Sequence, residues 1–163
     1  MIGNMGKKQD KTNVMRILDQ KSVSYDDYTY DDSLQGAVEV ANALGQDVAA
    51  LFKTLVTVGR SGAHCVFMVP GDGELDLKKA AKAAGEKALE MIPQKALLPL
   101  TGYVHGGCSP IGMKKQFPTF IDASAEQFET ICFSAGRVGR QVRMRLEDLR
   151  KVMPVTAVDV VKE

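Results

Sequence analysis

The sequence contains no tryptophan, only three cysteines and two histidines, and no long apolar run. Without tryptophan, and without a stripe of alternating aromatic and basic residues, it offers no stacking platform for single-stranded nucleic acid. The longest apolar runs, such as CVFMV at 65–69, are far too short to cross a bilayer, and the N-terminal MIGNMGKKQDK has no apolar segment behind its basic residues. We therefore expect a cytoplasmic protein with no membrane association.

The few cysteines and histidines also argue against a metal centre or a disulfide framework. Cys65, Cys108 and Cys132 are widely separated and odd in number, so we expect reduced thiols. His64 lies in a predicted strand without visible ligand partners and is interpreted as a packed or surface residue. Phosphate-loop and dinucleotide-binding fingerprints are absent as well. The sequence therefore predicts neither a metal nor a cofactor.

The charge balance limits the kind of partner. With 21 basic and 20 acidic residues the net charge is +1, which excludes a strongly basic nucleic-acid binder. Basic residues still cluster locally, as at Lys114 and Lys115. Any nucleic acid is therefore expected to be held by a few phosphate contacts rather than along a broad track.

Length and composition predict one domain. A chain of 163 residues with 45% apolar residues is typical of a single globular core. We predict a flexible N-terminal tail over residues 1–10 and a folded domain over 11–163. The clearest β signal is FKTLVTV at 52–58 and AHCVFMV at 63–69, separated by GRSG, which predicts a hairpin. Strands and helices follow one another without a regular βαβ period, which indicates an α+β fold with a mixed or antiparallel sheet.

Other elements are predicted from periodicity and caps. YDDYTYDD indicates an extended edge segment, and Gly45 follows a short helix. Thr12 or Asn13 is the predicted N-cap of a first helix, and Asp76 that of a helix ending at Gly85. Further strands are predicted at 89–92, 119–122, 130–134 and 141–144, and a last helix at 146–152.

The segment TGYVHGGCSPIGMKK, residues 101–115, combines a thiol, a histidine and several glycines. His105 and Cys108 suggest a nucleophilic pair, but no Asn or Asp can be assigned to orient them. Gly106 and Gly107 instead permit close backbone approach, so that successive N–H groups could converge on a carbonyl oxygen. An ordinary tight turn is the third interpretation.

Two other features leave similar alternatives open. SAGRVG at 134–139 is either a hairpin turn or a second wall of a pocket. Strand alternation places Lys53 on the face opposite Phe52 and Val56, so its ammonium either reaches solvent or lines a site. Periodicity alone does not choose between these.

Several motifs together resemble the YbaK-type family of Cys-tRNA(Pro) deacylases, which is related to the editing domain inserted in bacterial prolyl-tRNA synthetases. The resemblance runs from about Lys11 to the last helix and is carried by KTNVMRILD, FKTLVT, LDLKKAAKAAGEK, EMIP, LTGYVHGGCSPIGMKK, PTFID and SAGRVGRQV. It implies a curved mixed β-sheet or partial barrel surrounded by helices.

The resemblance also implies a set of site residues. Lys53 matches a lysine that holds the phosphate of the terminal adenosine, and Gly106 matches a backbone element at the ester. Tyr30 matches a pocket tyrosine, although Tyr28 lies close enough to confuse the assignment. Gln141 stands where some relatives carry an aspartate, so its amide is expected only to orient substrate. The implied catalytic residues are Lys53 and Gly106, and the implied substrate-binding residues are Tyr30, Gly107, Ser109, Ser134, Gly136 and Gln141.

The implied activity is trans-editing of cysteine mischarged onto proline tRNA, and also of Cys-tRNA(Cys). The substrate's own thiol attacks its ester, so enzyme thiols are spectators. Such a reaction mainly needs positioning and N–H donors at the developing oxyanion. Two alternatives stay open, namely editing of alanine or serine and a non-catalytic module that binds tRNA or synthetase. The expected partners are aminoacyl-tRNA and, in a transient complex, prolyl-tRNA synthetase.

Overall fold

The structure, a computed structural model, describes residues 10–163. The predicted tail at 1–10 lies outside the described residues except for Asp10, whose carboxylate accepts a hydrogen bond from Arg137 at 2.9 Å. In chain order the helices and strands are α1 Asn13–Gln20, β1 Asp26–Thr29, α2 Gly36–Leu44, β2 Phe52–Gly59, β3 His64–Pro70, α3 Leu77–Ala84, β4 Leu89–Met91, α4 Gln94–Thr101, β5 Thr119–Asp122, β6 Ile131–Ser134, β7 Arg140–Met144, α5 Leu146–Val152 and β8 Thr156–Val158. Short 3-10 helices span Val48–Ala50 and Ala123–Gln127.

The predicted hairpin is confirmed and forms the centre of the larger sheet. β2 and β3 pair antiparallel from Phe52 opposite Pro70 to Val58 opposite His64. Gly62 supplies the positive φ of +91° that the connecting turn requires. β4 pairs with β2 on one side, and β5 and β8 extend the sheet in parallel on the other, in the order β4-β2-β3-β5-β8.

A second sheet contains three antiparallel strands in the order β1-β7-β6. Its edge strand β1 confirms the extended segment expected from YDDYTYDD. The two sheets meet at an isolated bridge between Leu51 and Cys132. The predicted single-domain mixed fold is thus confirmed, with its β-structure in two sheets that do not close into a barrel within residues 10–163.

Most predicted helices begin and end at the expected residues. The Thr12 hydroxyl caps α1 by accepting from the Met15 N–H at 3.2 Å, and Asp76 caps α3 by accepting from Lys78 and Lys79. Of the α-helices and strands, two were not predicted. The helix α4 contains Pro99, which normally argues against a helix interior, and β8 is only three residues long.

Three apolar clusters hold these elements together. The largest packs α1 and one face of the hairpin against β6 and β7, with Val14, Phe52 and Phe133 among its buried members. A smaller cluster of Val40, Ala41, Leu51 and Cys132 packs α2 against the place where the two sheets meet. Val40 and Leu51 of this cluster also line a cavity at the junction.

Candidate active site

A cavity of about 390 Å³ opens at the junction of the two sheets. This volume is within the range of small-molecule sites. Its walls come from the segment after β1 and the start of α2, from the beginning of β2, from the loop after α4, and from β6 and β7. The lining residues are Tyr30, Asp32, Leu34, Gln35, Gly36, Ala37, Val40, Leu51, Phe52, Lys53, Thr54, Leu55, Leu97, His105, Gly106, Cys108, Ser134, Val138 and Gln141.

Lys53 lines this cavity from the second position of β2 and is half-buried. Of the two positions expected for this lysine, the structure shows it at the wall of a cavity. Within residues 10–163 no carboxylate lies at ion-pair distance from its ammonium. Its charge is therefore available to an anionic ligand.

The three-stranded sheet contributes Ser134 and Gln141, which face each other across β6 and β7. The Ser134 hydroxyl accepts a hydrogen bond from the Gly136 N–H at 3.1 Å, which tightens the turn that follows β6. Of the two tyrosines, Tyr30 lines the cavity. The Tyr28 ring instead lies beneath Arg143, whose guanidinium carbon is 5.5 Å from the centroid of that ring. Tyr28 is not among the residues that line the cavity.

The glycine-rich loop after α4 forms the remaining wall with Gly106 and its neighbours. Gly106 has φ +85°, a conformation that side-chain-bearing residues rarely adopt. Gly107 donates its N–H to the Val104 carbonyl at 2.9 Å, which closes the turn. In the described part of the chain, the Gly106 and Cys108 N–H groups donate to no protein acceptor. Both residues line the cavity.

Cys108 is a poor nucleophile in this setting. Its side chain is 7% exposed and belongs to the main apolar cluster. Burial raises the pKa of the Cys108 thiol to about 12, so the thiol stays protonated at neutral pH. The catalytic thiol suggested by the pairing with His105 therefore has no support, and the backbone interpretation of this loop is the one that the geometry favours.

Three predicted substrate-binding residues do not line the cavity. Gly107 packs against the backbone of the second glycine loop, where an added Cβ would lie 2.8 Å from the Val138 nitrogen. Ser109 is fully buried and accepts a hydrogen bond from the Ile111 N–H. Gly136 packs against the ring of Tyr103. These residues lie behind the lining residues, and their role in substrate binding stays a prediction.

Some polar lining residues escaped sequence reasoning. Asp32 and Gln35 line the cavity from the segment before α2, and Thr54 follows Lys53 on β2. The Thr54 hydroxyl is buried and without a hydrogen-bond partner among the described residues. Asp32 lies two residues from Tyr30, a proximity that could have suggested it, but loop residues carry no periodicity to predict their direction.

Neither a metal site nor a membrane span is found in the described part of the chain. Residues 10–163 contain no group of three or more His, Cys, Asp or Glu side chains placed to hold a metal ion. None of the helices in that range combines the length and apolar character needed to cross a membrane.

Comparison with known proteins gives consistent matches. A family model described as an aminoacyl-tRNA editing domain matches residues 32–152. The chain is 49% identical over 144 residues, 86% of this chain and 87% of the relative, to an Enterococcus faecalis protein named "Putative Cys-tRNA(Pro)/Cys-tRNA(Cys) deacylase EbsC". It is 32% identical over 101 residues to a proline–tRNA ligase from Shouchella clausii, covering 62% of this chain and 18% of the ligase.

A solved structure described as "a putative trans-editing enzyme for prolyl tRNA synthetase" has the same fold. It superimposes with a TM-score of 0.80 at 24% identity and covers 93% of this chain and 99% of that chain. The implied YbaK-type resemblance is confirmed by these matches together.

Proposed function

The chain belongs to the aminoacyl-tRNA editing domain family, and on this premise we propose that it is a trans-acting deacylase that removes cysteine mischarged onto proline tRNA. The observation that carries the proposal is the cavity itself. Among the described residues, it joins a lysine without a carboxylate partner to two backbone amides without acceptors, and its one thiol is held protonated. This combination suits an ester substrate that brings a phosphate and its own nucleophile.

Lys53 is assigned to the phosphate of the terminal adenosine. The start of β2 fixes the backbone of Lys53 at the cavity wall, since its neighbour Phe52 is 2% exposed in the core. A charged hydrogen bond to phosphate is worth about 1.5 to 3 kcal/mol. Lys53 thereby orients the 3′ end so that the ester faces the glycine loop.

The amides of Gly106 and Cys108 are assigned to the ester carbonyl oxygen. Hydrogen-bond donors that are already fixed in a loop need not reorient when negative charge develops on that oxygen. The cysteinyl sulfur attacks the carbonyl carbon, a C–S bond forms, and the C–O bond to the ribose 3′ oxygen breaks. That oxygen takes up the proton released by the thiol, and the products are a cysteine thiolactone and free tRNA.

The size of the cavity limits the amino acid but does not specify it. A pocket discriminates a single methylene by only about 1 to 3 kcal/mol, so alanine or serine could enter a site that admits cysteine. Selection of cysteine is therefore assigned to chemistry, because only its side chain supplies a ready nucleophile.

Prolyl-tRNA synthetase is the proposed partner. The chain is similar to part of a proline–tRNA ligase, so an editing module of this type also occurs within a synthetase chain. A small and nearly neutral domain has little surface for reading tRNA alone, and a transient complex with the synthetase provides the selection of proline tRNA. The cytoplasm, where tRNA is charged, is the proposed location.

The experiment that tests this function is deacylation of a panel of mischarged tRNAs. Purified protein is incubated with Cys-tRNA(Pro), Cys-tRNA(Cys), Ala-tRNA(Pro) and Ser-tRNA(Pro), and the remaining ester is measured over time. Fastest cleavage of the cysteinyl esters supports the proposal. Fastest cleavage of the alanyl or seryl ester reassigns the substrate, and binding without any cleavage indicates a non-catalytic module.

A further inference from the structure

Gln141, a residue of the cavity wall, is paired with a glutamine that lies outside the cavity. The Nε2 of Gln46 donates to the Oε1 of Gln141 at 2.6 Å, and the two residues are 95 positions apart in sequence. Gln141 is only 2% exposed. The bond therefore links the segment that follows α2 to the cavity wall on β7.

The backbone of Gln46 is held on both sides. Gly45 ends α2 with φ +66°, and the Gln46 N–H then donates back to the Ala41 carbonyl at 2.8 Å. This arrangement is the Schellman motif that follows many helices. On the other side, Asp47 caps the next 3-10 helix by accepting from the Ala49 N–H at 2.9 Å. The side chain of Gln46 thus starts from a fixed point.

The direction of the hydrogen bond decides what Gln141 presents to the cavity. A carboxamide has an acceptor at one end and a donor at the other, and rotation by half a turn exchanges them. Because Gln46 donates to the Gln141 oxygen, that oxygen already has a partner, and the Gln141 nitrogen donates to no acceptor among residues 10–163.

If this pair of glutamines served only to pack the fold, it would reduce the free energy of unfolding. The Oε1 of Gln46 is buried and has no hydrogen-bond partner among residues 10–163. An unpaired buried acceptor destabilises a fold, and an apolar side chain at position 46 would avoid this loss. The direction that the bond gives to the Gln141 amide therefore explains the pair better than packing does.

We propose that Gln46 is a positioning residue of this site, which holds the Gln141 carboxamide so that its Nε2 donates a hydrogen bond to an oxygen of the bound aminoacyl ester. The proposal rests on the deacylase function above, since that substrate presents carbonyl and ribose oxygens as acceptors. Gln46 acts through Gln141 and does not touch the substrate.

Three substitutions test the direction of the amide. In Q46E the carboxylate can only accept, so Gln141 must rotate to donate to it and turn its oxygen into the cavity. In Q46A nothing fixes Gln141, which can still adopt the productive orientation. Q141E keeps the acceptor for Gln46 but removes the donor to substrate. We expect losses in kcat/KM on Cys-tRNA(Pro) of about tenfold for Q46E and Q141E and of about two- to threefold for Q46A.

Acidification supplies a second readout. Protonation of the carboxyl group introduced by Q46E restores a hydrogen-bond donor at that position. The ratio of Q46E activity to wild-type activity should therefore rise as pH falls toward the carboxyl pKa, about 4.3 in an unperturbed glutamate. The matched control is Q127E, which introduces the same change at an exposed glutamine away from the cavity and should retain wild-type rates at every pH.

The order of the activity losses distinguishes a positioning role of Gln46 from a packing role. A packing role predicts the opposite order, with Q46A more damaging than the nearly isosteric Q46E, and that order would overturn the proposal. So would a Q46E defect that does not change with pH. Affinity for a stable amide analogue of cysteinyl-adenosine distinguishes this failure from failure of the proposed function. If wild-type protein binds the analogue but cleaves no tRNA ester, the deacylase proposal fails, and the same ranking in affinity still supports the role of Gln46. Equal affinities overturn it.

Discussion

The strand wall and the glycine-loop wall of the cavity are built in different ways. β2 and β7 present side chains, Lys53 and Gln141, whose direction is set by strand alternation and by the packed residues beside them. The loop after α4 contributes backbone groups to the cavity wall. Its Gly107 lies so close to the second glycine loop that a side chain would not fit there. Under the proposed function the strand wall therefore binds the substrate through side chains and the loop wall through N–H groups, and the thiol of the loop wall stays protonated.

The largest expected effect tests whether such a site suffices without an enzyme nucleophile. Cys-tRNA(Pro) should be cleaved faster than Ser-tRNA(Pro) by about 100- to 10,000-fold, because a hydroxyl needs the help of a general base that a partly ionised thiol does not need. Single-turnover rates on the same tRNA body measure the chemical step. Blocking the substrate thiol with a methyl group should abolish the preference.

Equal rates for the cysteinyl, S-methylcysteinyl and seryl esters would show that the walls activate a water instead. Tyr30, Ser134 and Gln141 are then the residues to examine for that role.

The next largest effect concerns the strand wall. Lys53→Ala should reduce kcat/KM on Cys-tRNA(Pro) by about 10- to 100-fold, since it removes a charged hydrogen bond worth about 1.5 to 3 kcal/mol. The fold should be unaffected, as judged by thermal unfolding. Lys87→Ala, at an exposed lysine between α3 and β4, is the matched control.

The assignment of Lys53 to phosphate has its own check. On cysteinyl-adenosine, which lacks the phosphate, wild-type protein and Lys53→Ala should react at the same rate. A defect of equal size on both substrates would place the lysine at the ester rather than at the phosphate.

A third effect tests the close approach of the two glycine loops. In Gly107→Ala the new Cβ would lie 2.8 Å from the Val138 nitrogen, and the neighbouring contacts are backbone atoms that cannot move aside alone. We expect a loss of about 1 to 3 kcal/mol in the free energy of unfolding, measured by urea denaturation, together with reduced activity.

The control for this substitution is Gly73→Ala, where the nearest atom to a new Cβ is 3.5 Å away. Its free energy of unfolding should stay close to the wild-type value. If both variants unfold alike, the contact between the loops contributes little.

The difference between the walls also explains what could be predicted from sequence. The hairpin follows from a strong period-two pattern, and the same pattern predicted that Lys53 departs from its core neighbours. Loop direction has no such signal, so the sequence could not indicate that Gly107 and Ser109, which the resemblance implied as substrate-binding residues, pack behind the lining. The bond from Gln46 to Gln141 crosses 95 positions, and no local pattern could indicate it.

The missed elements have equally physical causes. α4 contains a proline at a position where helix interiors lose a hydrogen bond, and the segment is held by tertiary packing of Leu97 and Leu100 against the core. β8 has only three residues, too few for an alternating apolar pattern to indicate a strand, and its strand conformation comes from pairing with β5.

The smallest expected effect concerns Cys108, whose thiol lies on the loop wall. Cys108→Ala should keep deacylation within a few-fold of wild type, because the loop acts through its N–H groups and the alanine retains them. The cost should appear in stability, at about 1 kcal/mol, the usual size for a single substitution.

Burial raises the pKa of the Cys108 thiol to about 12 in the fold, whereas an unfolded thiol ionises near pH 8.5. The unfolded state therefore loses protons first, so the stabilisation that the neutral thiol gives is complete below about pH 8.5 and is lost as pH rises toward 12. Urea denaturation from pH 7 to pH 11 should show the difference between wild type and Cys108→Ala shrinking with pH, and iodoacetamide at pH 8 should leave Cys108 unmodified in the folded protein. Rapid alkylation of Cys108 together with complete loss of activity in a folded alanine variant would restore the thiol as the nucleophile, and the contrast between the two walls would no longer hold.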